Sequence, residues 1–384
     1  MTILIVDDNQ VNLFLVENIL KRAGYNDYRS LSSAQEMFDY LGVDQEYQKE
    51  TEVDIILLDI MMPEMDGIEA CRRLQNIPHL KDIPVIFVTA LEDSNKVAEA
   101  LGVGGIDYIM KPINKIDLLA RIRVGLRLKY EKDWHKEQDK KLRDELDLSM
   151  QVQSSLLSEP IINEQLMIKA SYLPANKLAG DMYYWQRIDE NRYGVIILDM
   201  MGHGISASLV CMYISSVLRD AIRKNTDPEA IIVELNRWMN ILNKKDNPVH
   251  YYFTAIYMII DTKEKTVEYV NAGHPPGFAY VDDEKLVSLS KGSCPVGFFN
   301  EMKISKDIVH YNERIQLLIF TDGVMESLDN EETDGLDAIK EAISVRWLDC
   351  EVIEPIDIVM PKALQLDQPD DMCVVLIQAG SPLC

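Results

Sequence analysis

In the first third of this chain, five polar residues stand where short apolar runs end. Asp7 and Asp8 follow TILIV, Asp59 ends DIILLD, Thr89 ends VIFVT, and Lys111 follows IDYIM and precedes Pro112. Carboxylates held together repel one another and invite a hard divalent cation with oxygen ligands. A lysine beside them balances charge and can hold a phosphoryl oxygen, as can a threonine hydroxyl. Asp59 could then attack a phosphoryl donor and become an acyl phosphate. Any one of these residues could be an ordinary turn residue, but all five at strand ends make that a poor account.

A second set of carboxylates lies beside glycines. It comprises Asp181 in LAGDMYYW, Asp199 in ILDMMGHG, Asp322 in FTDGVME and the pair Asp370-Asp371 in QPDDMCVV. Asp-Gly is a common turn dipeptide, so TDG alone means little. Carboxylates converging at strand ends without a Cys or His cluster favour Mg²⁺ or Mn²⁺ over zinc. Two such ions would hold a bridging water, lower its pKa and aim it at phosphorus. Other phosphatase chemistries lack their residues: none of the six cysteines has Arg six positions on, and no Gly-Lys-Ser/Thr sequence occurs.

The elements that must position these groups change character along the chain. Over the first 126 residues, strand-like runs at Thr2–Val6, Asp54–Leu58, Pro84–Val88 and Ile106–Ile109 alternate with amphipathic stretches near Val11–Ala23, Ala34–Leu41, Ile68–Gln75, Lys96–Leu101 and Lys115–Leu126. That alternation predicts an α/β doubly wound parallel sheet with its active groups at the carboxyl ends of the strands. Residues 127–160 carry mixed charge and, until Pro160, no helix breaker, so they predict one long helix ended by Pro160. Leu142, Leu146 and Met150 recur at four-residue steps; the helix is either a solvated spacer or a coiled coil pairing two chains.

From 161 to 384 strand-like runs dominate: Met167–Leu173, Tyr193–Leu198, Tyr251–Ile260, Thr266–Val270, Ile315–Phe320 and Met372–Gln378. Helical stretches lie near Ser206–Arg223 and Pro228–Leu242, with more at Leu336–Ala342 and Pro355–Ala363. Strands and helices in blocks predict an α+β layered domain. A net charge of -24 disfavours nucleic acid as a partner, because counterion release needs Lys and Arg patches. The cysteines show no CxxC pairing, no apolar run approaches the ~18 residues of a membrane-spanning helix, and MTILIVDDNQ does not read as a signal peptide. The expectation is a cytoplasmic protein with reduced thiols and no membrane partner.

With Asp7-Asp8, LLDIMMPEMDG, Thr89-Ala90 and Lys111-Pro112 in hand, residues 1–126 resemble a response-regulator receiver domain of two-component signalling. The resemblance implies that Asp59 is the phosphoacceptor and that Asp8, Asp59 and the Met61 carbonyl hold Mg²⁺, with Asp7 acting through water. It makes Thr89 and Tyr108 the switch pair, and a sensor histidine kinase or phosphotransfer protein the partner. Residues 165–380 resemble the bacterial PP2C-type serine/threonine phosphatases of the sporulation stage II E and stress-response class, a β-sandwich with flanking helices. Carried over motif by motif, Asp181, Asp199, Asp322 and Asp370 become ligands of two Mn²⁺ or Mg²⁺ ions, with the Met200 carbonyl adding an oxygen. His203, Asn271 and His274, in GHG and NAGHPP, take shaping roles. Two departures stand out: Ala179-Gly180-Asp181 replaces Gly-Gly-Asp, and Cys373 replaces the Thr of Asp-Asp-x-Thr.

Together these imply a response regulator whose phosphorylation at Asp59 controls an Mg/Mn-dependent protein serine/threonine phosphatase, with a homodimer as the expected assembly. The implied substrate is a phosphorylated anti-sigma-factor antagonist. The rival is a non-enzymatic adaptor with a vestigial metal site; the intact set of four aspartates argues against it.

Overall fold

The computed structural model describes residues 1–43, 52–90, 94–243, 249–329, 334–344, 354–365, 368 and 370–380. They form two compact units, Met1–Arg143 and Asp144–Cys384.

The first unit runs β1 (Thr2–Val6), α1 (Gln10–Arg22), β2 (Tyr28–Leu31), α2 (Ala34–Leu41), β3 (Val53–Asp59), α3 (Gly67–Gln75), β4 (Val85–Thr89), α4 (Ser94–Gly102), β5 (Asp107–Met110) and the first part of α5 (Lys115–Ser154). All five strands pair in parallel, in the order β2-β1-β3-β4-β5. Strands β1, β3 and β4 are continuously apolar because helices cover both faces. Leu4, Ile56 and Phe87 meet Met37 and Leu74 on one side; Ile3, Ile55 and Ile86 meet Leu20 and Ile122 on the other. The Asn9, Ser33 and Asp66 side chains cap α1, α2 and α3. Strand β2 escapes the sequence reading because Tyr-Arg-Ser-Leu is a half-exposed edge strand with no apolar run.

Helix α5 spans the division between the units. Lys132 and Lys136 pair with Asp82, at 3.4 and 2.5 Å. The helix ends at Ser154, so Pro160 is not its stop. The segment after it is held by other bonds. The Ser158 hydroxyl donates to the Trp185 carbonyl and accepts from the Trp185 N–H, both at 2.9 Å. The Trp185 indole donates to the Glu159 carbonyl at 2.8 Å, and Leu157 packs into the core.

The second unit continues with β6 (Ile161–Ile162), β7 (Leu166–Leu173), β8 (Asp181–Arg187), β9 (Arg192–Met200), α6 (Ile205–Lys224), α7 (Pro228–Leu242), β10 (Phe253–Asp261), β11 (Thr266–Ala272), β12 (Gly277–Val281), β13 (Lys285–Leu289), β14 (Gly292–Ser293), β15 (Asp307–His310), β16 (Arg314–Phe320), α8 (Asp322–Leu328), α9 (Gly335–Ser344), α10 (Pro355–Val359) and β17 (Met372–Gly380). One sheet has the order β14-β11-β10-β9-β8, with β15 also beside β11; the other runs β13-β12-β16-β17-β7-β6. Their inner faces share a core that includes Ile168, Val195, Ile256, Leu317 and Ile377. Helices α6 and α7 cover the outer face of the first sheet, where Ile214 and Leu235 meet Ile196 and Tyr257. Helices α8–α10 cover the second, where Val324 and Ile356 meet Phe320 and Leu376. Strands β8, β12, β13 and β15 were not legible as runs. Helix α6 corrects the reading of apolar lengths. Its 20 residues are long and apolar enough to cross a membrane, but its inward face is buried against the sheet.

Candidate functional sites

At the carboxyl ends of the receiver strands, the oxygens of Asp7, Asp8 and Asp59 lie within 4.8 Å of one another. Asp7 and Asp59 are buried and Asp8 is exposed. The Lys111 ammonium donates to Asp59 Oδ2 at 2.8 Å and to Asp7 Oδ2 at 2.9 Å. Burial raises the Asp59 pKa and the Asp7 charge adds to that; Lys111 opposes both. Burial would lower Lys111, but its bonds to Asp59 and Asp7 outweigh that and hold it above its ordinary value. The Met61 N–H donates to Asp59 Oδ1 at 3.4 Å. Thr89 is fully buried, and its carbonyl accepts from the Lys111 N–H at 2.8 Å. Tyr108 is half-buried, with the Arg121 guanidinium 5.7 Å from its ring centre.

Two residues escaped the sequence reading here. The Asn12 amide donates to both oxygens of Asp7, at 3.0 and 3.1 Å, fixing that carboxylate. Gly67 sits against the Asp59 backbone, where a Cβ would come within 2.1 Å of the Asp59 carbonyl. The glycine that closes LLDIMMPEMDG is therefore required by close approach.

The second site lies at one end of the sandwich. Asp181 opens β8 and pairs with Asp199 near the end of β9. From the other sheet come Asp322, at the start of α8 after β16, and Asp370, just before β17. The Asp199 carboxyl is close enough to those of Asp181 and Asp322 for each to perturb the other's ionisation. Burial first, then Asp322 and Asp370, push Asp199 up to about 8. Burial and Asp199 hold the Asp181 carboxyl far above its usual range. Asp181 Oδ2 is buried without a hydrogen-bond partner. None of the leading influences on Asp181, Asp199 or Asp322 is a basic side chain. Crowded carboxyls that oppose one another's ionisation, with an orphaned oxygen, fit a divalent cation with oxygen ligands.

Positioning residues surround this cluster. Asp371, adjacent to Asp370, has a different role: its oxygens accept from the Ala175 N–H at 2.8 Å and the Gly180 N–H at 2.7 Å. Buried Gln153, near the end of α5, donates to the Ala179 carbonyl at 2.7 Å and accepts from the Ala179 N–H at 3.2 Å. The two together hold the backbone of the loop leading into Asp181. A Cβ on Gly180 would meet the Gly202 carbonyl oxygen at 2.8 Å and that of Met200 at 3.1 Å. Ala179, by contrast, sits buried in its place, so that departure from Gly-Gly-Asp is accommodated. Cys373 bonds to Thr321 through its backbone N–H, 2.9 Å to the threonine Oγ1, while its thiol lies in the apolar core. Thr321 in turn favours the ionised form of the Asp181 carboxyl, against the burial and Asp199 that oppose it. Asn271 holds the NAGH turn by donating to the His274 carbonyl and accepting from its N–H. His274 is bonded to the Thr254 hydroxyl at 2.7 Å, and burial lowers its pKa to about 3, which keeps it neutral.

The stage II sporulation protein E (SpoIIE) family matches residues 189–380, half of the chain. The chain belongs to the SpoIIE family. The response regulator receiver domain family matches residues 3–123. The architecture is thus a receiver domain followed by a SpoIIE-family, PP2C-type phosphatase domain, with the fold classes expected of each. Asp181 lies just ahead of the SpoIIE match but belongs to the same sheet. The chain is 39% identical over 182 residues to the phosphoserine phosphatase RsbP of Bacillus subtilis (strain 168), covering 47% of this chain and 45% of RsbP. It is 35% identical over 130 residues to the transcriptional regulatory protein YvrH of the same organism, covering 34% of this chain and 51% of YvrH. The chain spans about half the length of these curated relatives. The SiaA-PP2C domain of Pseudomonas aeruginosa superposes with a TM-score of 0.49 at 18% identity, covering 62% of this chain and 97% of that domain.

Proposed function

We propose that the chain is a response regulator whose output is metal-dependent hydrolysis of phosphoserine or phosphothreonine on a protein, governed by phosphorylation of Asp59. The observation that carries the reading is the convergence of Asp181, Asp199, Asp322 and Asp370 from both sheets, where burial and mutual repulsion raise the pKa of Asp181, Asp199 and Asp322 and one buried oxygen is orphaned. These four and the Met200 carbonyl would hold two Mn²⁺ or Mg²⁺ ions; Asp8, Asp59 and the Met61 carbonyl would hold Mg²⁺ in the receiver, with Asp7 acting through water. Bound there, divalent cations supply Lewis acidity toward phosphoryl oxygens and water.

The chain's own residues do the rest. In the receiver, an Asp59 oxygen attacks the phosphorus of a phosphohistidine donor, the P–N bond breaks and an acyl phosphate forms. Lys111 and the Thr89 hydroxyl hold phosphoryl oxygens, and Tyr108 follows Thr89 as it moves. In the phosphatase domain, Asp371 and Gln153 keep Asp181 in register, and glycine at 180 lets the backbone pass close to Met200. The partners in this reading are a sensor histidine kinase or phosphotransfer protein and a phosphorylated anti-sigma-factor antagonist, met in the cytoplasm. RsbP's description as a phosphoserine phosphatase supports the chemistry. We further propose a homodimer paired along α5, with Leu142, Leu146 and Met150 at the seam. The intact set Asp181, Asp199, Asp322 and Asp370 favours this reading over a non-enzymatic adaptor.

Hydrolysis of p-nitrophenyl phosphate with Mn²⁺, and with chelator in its place, tests the output chemistry. Turnover should require the metal; equal turnover in chelator would refute it.

A further inference from the structure

Exposed aromatic side chains gather where β10 begins, beyond the register position of Asp199. Phe298 and Phe299 are 49% and 53% exposed, on the loop that follows Gly297. Phe298 stands edge-on to Tyr252, with ring centres 5.4 Å apart, and edge-on to Phe299 at 5.0 Å. Exposed aromatics on a mobile loop would mean little, but this loop is pinned. Asn236, only 5% exposed, donates to the Phe299 and Asn300 carbonyls at 3.0 and 3.2 Å and accepts from the Gly297 N–H at 2.8 Å. Asn240 reaches the Phe299 carbonyl at 3.4 Å, and His250 bonds the Gly297 carbonyl at 2.8 Å. Burying a polar side chain is unfavourable unless it is bonded, and here all of Asn236's bonds go to holding this backbone.

Continuity of the β-ladder ties the step to the metal site. In the β9–β10 pairing Thr254 faces Asp199 and Phe253 faces Met200. One residue further the Met201 N–H donates to the Tyr252 carbonyl at 3.0 Å, so Tyr252 continues the ladder opposite Met201. Side chains alternate along a strand, which puts Tyr252 and Thr254 on the face of Asp199, while Met200 and Phe253 enter the helix-side core. Diagonal neighbours of this kind lie about 7–8 Å apart. An extended peptide advances about 3.3 Å per residue. A chain presenting its phosphoserine to Asp199 therefore meets Tyr252, where the aromatic step begins, two or three residues away.

We propose that Tyr252, Phe298 and Phe299 form a substrate-docking step that selects a phosphoprotein segment with a large apolar residue two or three positions from the phosphorylated one. Rigid, pre-ordered aromatics supply contact area at low entropic cost, the usual anchor of a recognition surface. The flanking surface beside this carboxylate-rich site offers ring faces, so selection there runs through apolar contact. The inference rests on the phosphatase reading above and deepens it.

The test uses the full chain with Mn²⁺ and three substrates: p-nitrophenyl phosphate, and two synthetic phosphoserine peptides that carry Leu or Ser at the second and third positions on either side. Wild type should favour the Leu peptide at least tenfold in kcat/KM, through KM. The Phe298→Ser, Phe299→Ser double variant should lose that preference and keep p-nitrophenyl phosphate turnover within twofold. No preference in wild type, or a preference that survives in the variant, would overturn the proposal. Phe298→Trp provides a readout independent of turnover: its emission should shift on adding the Leu peptide and not the Ser peptide, and no differential shift would also overturn it. Absence of p-nitrophenyl phosphate hydrolysis would refute the phosphatase reading itself, with the Trp emission still deciding the docking step.

Discussion

Replacing Asp199 by Asn should abolish turnover and yet stabilise the metal-free phosphatase domain at alkaline pH. In the folded state burial and neighbouring carboxylates push Asp199 up to about 8 from an ordinary 3.8. Because the folded value lies above the unfolded one, ionisation opposes folding. The cost is absent below about pH 4, grows as pH rises, and is complete above about pH 8. Each pH unit between the two values is worth ~1.4 kcal/mol, which sets a ceiling of roughly 5–6 kcal/mol. Asp181 and Asp322 titrate together with Asp199, so removing one member releases only part, on the order of 1–3 kcal/mol. A domain of this size gains about 2–4 °C in Tm per kcal/mol. Thermal unfolding in chelator at about pH 8 should therefore show Asp199→Asn melting roughly 3–10 °C above wild type, and the gap should shrink toward about pH 5. Excess Mn²⁺ should reverse the order, since it stabilises only the protein that binds it. A variant less stable than wild type in chelator at both pH values would refute the idea that the carboxylates are crowded for a cation.

Acetyl phosphate with Mg²⁺ should label the chain once, in an alkali- and hydroxylamine-labile form, and Asp59→Asn should abolish the label, as read by intact-mass spectrometry. Gln153→Ala should lower the phosphatase-domain Tm and raise the Mn²⁺ concentration needed for turnover, because a buried N–H and carbonyl at Ala179 lose their partners at about 1–3 kcal/mol each. Inserting two glycines near Lys140 should leave both chemistries intact and abolish the response of turnover to a beryllium fluoride mimic, measured on the same samples by sedimentation and rate.

The receiver site was legible because its residues end strands buried on both faces, and such strands announce themselves as unbroken apolar runs. Asp59 after VDIILL and Thr89 after VIFV needed no tertiary knowledge to be placed at one edge. The edge strand Tyr28–Leu31 lacked that signal. In the phosphatase domain the motif glycines marked Asp199 and Asp322, whereas β8 stayed hidden because DMYYWQR mixes aromatic and polar residues from its first position. Positioning roles were the least legible. Asp371 and Gln153 act on the backbone of one loop from 191 and 26 positions away, and nothing local distinguishes them. In sequence Asp371 is only the neighbour of Asp370. Leu157, Ser158 and Glu159 stop the linker helix by docking, not by the proline that follows.

The most direct test of a receiver-controlled phosphatase is the steady-state rate at which the full chain, with Mn²⁺, hydrolyses a phosphoserine peptide before and after beryllium fluoride is added. The rate should rise in wild type, stay unchanged in Asp59→Asn, and be lost in Asp322→Asn. A rate that ignores beryllium fluoride in wild type, or that responds equally in Asp59→Asn, would contradict receiver control.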